Sequence, residues 1–225
     1  MNNLKMFCLT LNPNHYNFIR DLSYIPVGLG EKKFNEKEEN WFTDKGEDSI
    51  SEKNKNYGEY TFHYWLWKNY INLNETEDGW FGFCQYRKFW SVSDTNLLPE
   101  SLEQLKILPI KKIPKDYESF DAIMGNPIPT NKFKRMKFIK GGLKIILKNP
   151  LYLFDNKKRN IRFHFDLMHG YNNLNKAIEL LDSKDRSDFS DFVNTKTSFN
   201  PHNMFICRSK KILNEYYSTI FPWLD

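Results

Sequence analysis

Residues 48–69 constrain the fold of this chain most strongly, because their second half is too aromatic to remain in water. The segment reads DSISEKNKNYGEYTFHYWLWKN. Five of the large side chains here and just beyond follow helical spacing: Tyr57, Tyr60, Tyr64, Trp67 and Ile71. Others fall on different faces: Phe62, Trp65 and Leu66. The pattern predicts a helix that is buried on most sides and preceded by a polar loop, an arrangement that can hold ligand-facing side chains in place.

The start of this helix carries two polar pairs. Asn56 and Glu59 have the spacing of a capping box, in which two side chains satisfy backbone N–H groups at a helix start. Glu59 and His63 are one helical turn apart and predict a structural hydrogen-bonded pair. Both patterns assign Glu59 to the helix framework rather than to chemistry.

The totals fit a single domain with an anionic ligand. The chain has 225 residues and a net charge of +5, which leaves nucleic acid, an anionic membrane and a nucleotide phosphate open as partners. The three scattered cysteines favour reduced, buried thiols. Neither a signal peptide nor a run of about 20 apolar residues is found. These features predict a cytoplasmic protein.

Three apolar runs predict inner strands of an α/β sheet: 4–11, 80–85 and 120–124. Tyr86 and Arg87 follow the second run directly. Open α/β sheets bind ligands at the carboxyl ends of their inner strands, and a guanidinium can donate two hydrogen bonds to a diphosphate. Arg87 is therefore a candidate ligand-binding residue, with a surface cation as the equally weighted alternative.

The remaining segments give weaker predictions. Gly28 and Gly30 would let backbone amides approach a phosphate, although a plain loop is the preferred interpretation without other support. Residues 31–47 are charged and lack periodicity, which predicts a mobile surface segment. Residues 160–181 predict one long helix.

A basic segment interrupts the second half of the chain. No acidic residue occurs from Ala122 to Phe154, and 132–148 alternates basic and apolar residues. This stretch is compatible with contact to an anionic membrane, where each basic group contributes about 1 kcal/mol. It is equally compatible with a flap over a phosphate or a solvated loop. The expected organisation is one domain over 1–225 with a basic insertion or flap at 126–158.

The sequence lacks the motifs that would identify most enzyme classes. It has no P-loop, nucleophile elbow, HExxH or paired-cysteine zinc site. It also has no Asp-x-Asp, the pair with which many sugar-nucleotide enzymes hold Mg²⁺ or Mn²⁺ across a diphosphate. A divalent metal is therefore not implied, the cofactor is unknown, and nucleic-acid binding would rest on the basic stretch alone.

Three blocks occur in order along most of the chain: SISEKNKNYGEYTFHYWLWKN, GFCQYRKFW and NPHNMFI. Together they resemble the DUF4422 family, which is found in capsular and surface polysaccharide clusters and is regarded as glycosyltransferase-like. The family pattern is close to I-S-x-K-N-x-x-Y-x-E-x-x-x-x-Y-W-x-W-K-N, then G-x-x-H-Y-R-R-Y, then N-M-F-I.

The resemblance implies an α/β, GT-A-like (Rossmann-related) fold with a mixed central sheet flanked by helices. It implies a nucleotide-sugar donor, with UDP as the expected nucleotide, and a glycan or lipid-linked acceptor. The implied donor-binding residues are Gly28, Gly30, Ser51, Lys53, Asn54, Tyr86 and Arg87. His202 and Asn203 are the implied acceptor-binding pair. Gln85 departs from the family pattern, which has His there, and the chain stops soon after FPWL, where a part of the acceptor site is expected.

Glycosyl transfer also requires a base and a way to stabilise the leaving diphosphate. Without a metal, cations must neutralise the diphosphate, and Arg87 with Lys53 or Lys88 can do so. The candidate bases are Glu52, Glu59 and His169. We expect Glu52 to face the cleft, with His169 as the second catalytic residue and Glu59 structural. The alternative is a non-catalytic sugar-nucleotide or glycan binding module, which the Gln85 departure and the early C-terminus both favour.

Overall fold

A computed structural model describes residues 3–30, 32–35, 40–71, 79–91, 100–130, 145, 147, 150–155 and 158–225. The chain divides into two compact units, 1–125 with 202–225, and 126–201. The second unit begins at the residue where the sequence sets the basic segment apart. Most of 132–148 lies outside the described residues, so its membrane contact stays a prediction.

Six of the eight strands in the described residues form the sheet of the first unit. The strands are β1 Leu4–Thr10, β2 Ile25–Gly28, β3 Phe42–Thr43, β4 Trp80–Gln85, β5 Ala122–Met124, β6 Ile128–Pro129, β7 Ser198–Phe199 and β8 Phe205–Cys207. The sheet order is β3-β2-β1-β4-β8-β5. The first four strands are parallel, and β8 is antiparallel to both neighbours. A topological switch point lies between β1 and β4, because β2 follows β1 on one side and β4 pairs with it on the other.

The helices of the described residues are α1 Tyr16–Asp21, α2 Asn54–Tyr57, α3 Tyr60–Asn69, α4 Leu102–Ile107, α5 Ile161–His169, α6 Asn173–Glu179, α7 Ser183–Thr195 and α8 Lys210–Leu224. Helix α1 covers one face of the sheet, where Cys8 and Ile19 share a core cluster. Helices α3 and α8 cover the other, where Phe7 clusters with Phe62 and Tyr217. Successive side chains from Met6 to Leu9 therefore enter opposite cores, which explains the uninterrupted apolar run in this part of β1.

Helix α3 confirms the prediction of a deeply buried aromatic helix. Phe62 and Leu66 are both fully buried, and burial of each side chain contributes roughly 1.5–3 kcal/mol. The helix starts at Tyr60 rather than earlier, since Gly58 has φ +54° and ends α2. The predicted capping box is wrong: Glu59 immediately precedes α3 and its side chain makes no capping bond.

His63 lies at the centre of the packing between α3 and α8. Its Nδ1 is 2.7 Å from the Tyr217 hydroxyl, so the predicted pairing with Glu59 is wrong. The ring is fully buried, and burial lowers its pKa to about 3, an effect that the Asn203 backbone opposes only in part. Its Nε2 has no hydrogen bond of standard geometry within the described residues.

Two further expectations about the first unit are corrected. The segment 31–47 was expected to be mobile surface, but its described part contains β3 and the buried Trp41 and Asp44. Phe34 and Trp41 pack on each other at 4.7 Å, a pairing that short-range periodicity does not reveal. Strand β5 was expected inside the sheet, and it lies at the edge, next to β8 alone.

The second unit packs α5, α6 and α7 around Ile161, Leu174, Ile178 and Val193. The single helix predicted over 160–181 is wrong, because the chain turns between α5 and α6. Gly170 and Asn172 adopt φ +100° and +68° there, conformations that a continuing helix excludes.

The chain passes from the first unit into the second after Gly125 and returns at His202. The strands that flank this excursion, β5 and β8, are hydrogen-bonded neighbours, with Met124 opposite Phe205.

Candidate functional site

A small cleft opens at the switch point, where β1 and β4 end side by side. Its volume is about 120 Å³, and its lining includes Thr10, Leu29, Asn54, Glu59, Gln85 and Arg87. Since β1 and β4 are parallel, Leu9 and Gln85 stand opposite each other at the same edge. This edge is where ligands bind in open α/β sheets.

Glu59 and Gln85 meet on the cleft lining. Gln85 Nε2 donates a hydrogen bond to Glu59 Oε1 at 2.5 Å. The residue that departs from the family pattern thus orients a carboxylate at the mouth of the sheet. Glu52, expected to face the cleft, is exposed on the 3₁₀ turn Ser51–Lys53 and is absent from the lining. The two carboxylates therefore have the reverse of their expected positions, because the chain turns at Gly58 and brings Glu59 inward.

Asn54 holds the turn that leads into α3. Its Nδ2 donates to the Gly58 carbonyl at 2.9 Å and to Thr61 Oγ1 at 3.0 Å. Gly30 follows β2 with φ +73°, and a Cβ there would lie 3.3 Å from Asn54 Oδ1. Asn54 lines the cleft, and its hydrogen bonds fix this part of the lining in position.

Asp44 is a buried carboxylate behind the lining, and sequence reasoning missed it. It accepts hydrogen bonds from the Gly30 amide at 3.3 Å and from Thr61 Oγ1 at 2.5 Å. Burial raises its pKa, and these hydrogen bonds act in the opposite direction. We expected the Gly30 amide to approach a phosphate. Instead it donates to Asp44, which links the end of β2 to Thr61 of α3.

His15 is a second residue beside the cleft that the sequence did not single out. Its Nδ1 lies 2.8 Å from Thr10 Oγ1, and its ring stacks on Tyr86 with centroids 4.4 Å apart and planes at 29°. Burial lowers the His15 pKa. Its position directly after the Asn-Pro-Asn turn that follows β1 was the available signal.

Tyr86 and Arg87 form the tip of a tight turn after β4. Gln85 and Lys88 bracket the turn with two backbone hydrogen bonds of 3.3 and 3.0 Å, and the Tyr86 amide continues the pairing with β1 by donating to Leu9. Arg87 is exposed and lines the cleft, with its guanidinium 5.3 Å from the Tyr86 ring centroid. The arrangement presents a cation at the rim of the cleft.

Ser51 and Lys53 are not brought to this lining. Lys53 Nζ pairs with Asp225 at 2.9 Å, and the hydrogen bond and charge of Asp225 raise the Lys53 pKa. Lys53 borders a separate hollow of about 320 Å³ beside Tyr57 and Phe221. The 3₁₀ turn directs this side chain toward the last helix.

The other predicted site residues have different surroundings. A Cβ on Gly28 would lie 2.5 Å from the Phe34 ring, so this glycine serves close packing. His202 is exposed, and its ring nitrogens lie 3.1 and 3.2 Å from Lys88 Nζ. Asn203 adjoins His63 through its backbone. His169 ends α5 in the second unit, exposed and 4.5 Å from the Phe165 ring.

Neither metal coordination nor a membrane span is indicated by the part of the chain that the structure describes. No three His, Cys, Asp or Glu side chains there are grouped so as to hold a metal ion. None of its helices combines the length and apolarity needed to cross a bilayer.

Comparison with solved structures gives a match of high significance. The apo structure of WbbM, described as a bifunctional glycosyltransferase, is 21% identical with a TM-score of 0.66. The match covers 100% of this chain and 37% of that one, so this chain spans little more than a third of its neighbour's length. No curated protein matches the sequence.

These comparisons confirm the predicted α/β, GT-A-like architecture with a mixed central sheet flanked by helices. The model of the family described as a domain of unknown function, DUF4422, matches residues 8–225. The three sequence blocks fall inside that range, and the first two of them contribute Asn54, Glu59, Gln85 and Arg87 to the cleft lining. The chain belongs to the DUF4422 family.

Proposed function

We propose that this chain is a glycosyltransferase of the hexosyl type. Its donor is a nucleotide sugar, with UDP as the expected nucleotide, and its acceptor is a glycan or lipid-linked glycan of a surface or capsular polysaccharide. The observation that carries the proposal is the convergence of Asn54, Glu59, Gln85 and Arg87 at the switch point between β1 and β4. The structural likeness to WbbM supports the same activity.

In this proposal the rim cations stabilise the leaving nucleotide. Arg87 and Lys88 lie in the turn after β4, and their charges offset the negative charge that develops on the diphosphate. Arg87 donates in a planar fork that suits phosphate oxygens. Lys53, paired with Asp225, has no part in this step.

Glu59 is the proposed base. One of its oxygens accepts a hydrogen bond from the Gln85 side-chain amide, and the other takes the proton of the acceptor hydroxyl. The acceptor oxygen then forms a bond to the anomeric carbon as the bond from that carbon to the diphosphate breaks. The nucleoside diphosphate leaves with the electron pair, so a single displacement inverts the anomeric centre. His169 remains the predicted alternative base.

Calorimetric titration with UDP-sugars, with and without Mn²⁺, tests the donor assignment. We expect binding that Arg87→Ala weakens, together with slow hydrolysis or transfer that Glu59→Gln abolishes. Absence of binding to every UDP-sugar in both conditions would contradict the proposal.

A non-catalytic binding module on the same fold is the second candidate. The hydrogen bond between Gln85 and Glu59 favours it, because it engages the carboxylate that would act as base. Binding of a nucleotide sugar without hydrolysis or transfer to any acceptor would select this candidate. A cytoplasmic location, with peripheral membrane contact through 132–148, accompanies either function as a proposal.

A further inference from the structure

The second unit contains a polar groove on its three helices. Its volume is about 540 Å³, within the roughly 300–1,000 Å³ of typical small-molecule sites. Helices α5, α6 and α7 all contribute residues to it. Ile178 is apolar, and the other lining residues are polar or charged. The groove is formed entirely by residues of this unit.

Hydrogen-bond acceptors on this groove come from two carboxylates. Glu179 and Asp191 both line it, and neither forms an ion pair with another residue that the structure describes. Both side chains are exposed, so a ligand can reach them.

Hydrogen-bond donors on the groove come from two guanidinium groups. Arg162 Nη1 donates to Asn194 Oδ1 at 3.3 Å. Arg186 donates to the Leu181 carbonyl at 3.2 Å from Nε and 2.8 Å from Nη2. A guanidinium carries five N–H donors, so each of these side chains is held in place while further donors remain for a ligand.

This lining selects a class of ligand by its charge and hydrogen bonding. Two carboxylates balance two guanidinium groups, so the net charge of these four groups favours neither an anion nor a cation. An apolar ligand would leave the charged groups desolvated and unpaired. A neutral molecule rich in hydroxyl groups can donate to the carboxylates and accept from the arginines at the same time.

We infer that the groove on α5, α6 and α7 binds a neutral oligosaccharide. The inference rests on the proposed function for the choice of a glycan among neutral polyols. The groove would be a second sugar-binding site of this chain, and it shares no lining residue with the cleft of the first unit.

The test is an NMR titration of the full chain, observing backbone amides, with maltotriose, lactose and chitotriose as probes. We expect at least one of them to shift the resonances of groove residues with a millimolar Kd. Asp191→Ala should weaken that binding about tenfold, the usual effect of losing a hydrogen bond to a charged group. Asp188→Ala is the matched control, because Asp188 is exposed on the same helix and lies outside the lining.

Inorganic pyrophosphate and UDP complete the experiment. The inference is overturned if no sugar shifts the groove resonances, if the two aspartate variants bind equally, or if pyrophosphate binds the groove in preference to the sugars. UDP in a parallel titration reports on the cleft through Asn54 and Gln85. A UDP response without a sugar response removes this inference alone, whereas a sugar response without a UDP response removes the proposed donor site alone.

Discussion

Gln85 Nε2 lies 2.5 Å from Glu59 Oε1, and this contact joins the last residue of β4 to the residue before α3. The amide holds the carboxylate without carrying a charge. A histidine, the usual family residue here, would change its charge near pH 6.5. The position of Glu59 in this chain is therefore insensitive to any titration of its partner.

Glu59→Gln should abolish transfer while preserving nucleotide binding. The substituted amide keeps the size of the side chain but cannot take a proton from the acceptor, so we expect kcat to fall about 10²–10⁴-fold. Single-turnover assays with a UDP-sugar measure the effect. Glu52→Gln, on the exposed neighbouring turn, is the control, and a comparable loss in that variant would move the base to Glu52.

Gln85→His should add a titratable group at position 85 and with it a further dependence of activity on pH. A protonated imidazole would pair with Glu59 and weaken it as a base, so activity should decline as pH falls below about 6.5. Rate profiles from pH 5 to 8 for the two proteins test this prediction. Superimposable profiles would show that residue 85 does not act through Glu59.

Arg87→Ala should weaken UDP binding about 10- to 100-fold, the range expected when a charge-assisted hydrogen bond of about 1.5–3 kcal/mol is lost. Arg87 is exposed at the tip of a turn, so the melting temperature should stay unchanged. Arg20→Ala, an exposed arginine on α1, provides the matched control in calorimetry. Equal affinity in the two variants would exclude Arg87 from the donor site.

His63 should make the protein sensitive to acid. Its folded pKa is about 3, below the roughly 6.5 of an unfolded histidine, so the unfolded chain binds the proton first. This contribution to stability is complete above about pH 6.5 and is lost as pH falls toward 3, by up to about 1.4 kcal/mol per pH unit.

Urea unfolding at several pH values measures that slope. His63→Phe should flatten it, whereas Tyr217→Phe should keep it, because the tyrosine hydroxyl does not titrate in this range. Asp44 has the opposite effect on the dependence of stability on pH, because its raised pKa favours the folded state at low pH. An unchanged slope in His63→Phe would assign the acid sensitivity to other groups.

Gly28→Ala should lower stability rather than donor affinity. The added Cβ would lie 2.5 Å from the Phe34 ring, and overpacking of this kind costs about 1–3 kcal/mol. Gly125→Ala is the control, because the nearest atom to its Cβ is 4.0 Å away on Trp90. A Gly28→Ala protein of native stability that fails to bind UDP would restore the binding role expected from the sequence.

The inner strands and the aromatic helix were predictable because their signals are local. The middle of β1, Met6 to Leu9, is apolar at every position because both faces of the strand are buried there, and the side chains of α3 repeat at helical spacing. Strand β3 gave no such signal, since it is two residues long and is held by its neighbour β2. The break between α5 and α6 depends on the left-handed backbone conformation of Asn172, which the spacing of apolar residues does not reveal.

The site was predictable in part for a similar reason. Tyr86 and Arg87 directly follow the end of a strand, and Asn54 lies in the first block that resembles the family pattern. The exchange of roles between Glu52 and Glu59 was not predictable, because it depends on the direction in which the chain turns at Gly58. Asp44 escaped notice because its partners, Gly30 and Thr61, are distant in sequence.

The pairing of Met124 with Phe205 has a consequence for how this chain can tolerate change. Residues 126–201 leave and re-enter the sheet at adjacent strands, so their two ends are already held together whatever lies between them. The entropy of closing such a loop grows only slowly with its length. The segment can therefore lengthen, shorten or be exchanged for another module at little cost to the sheet.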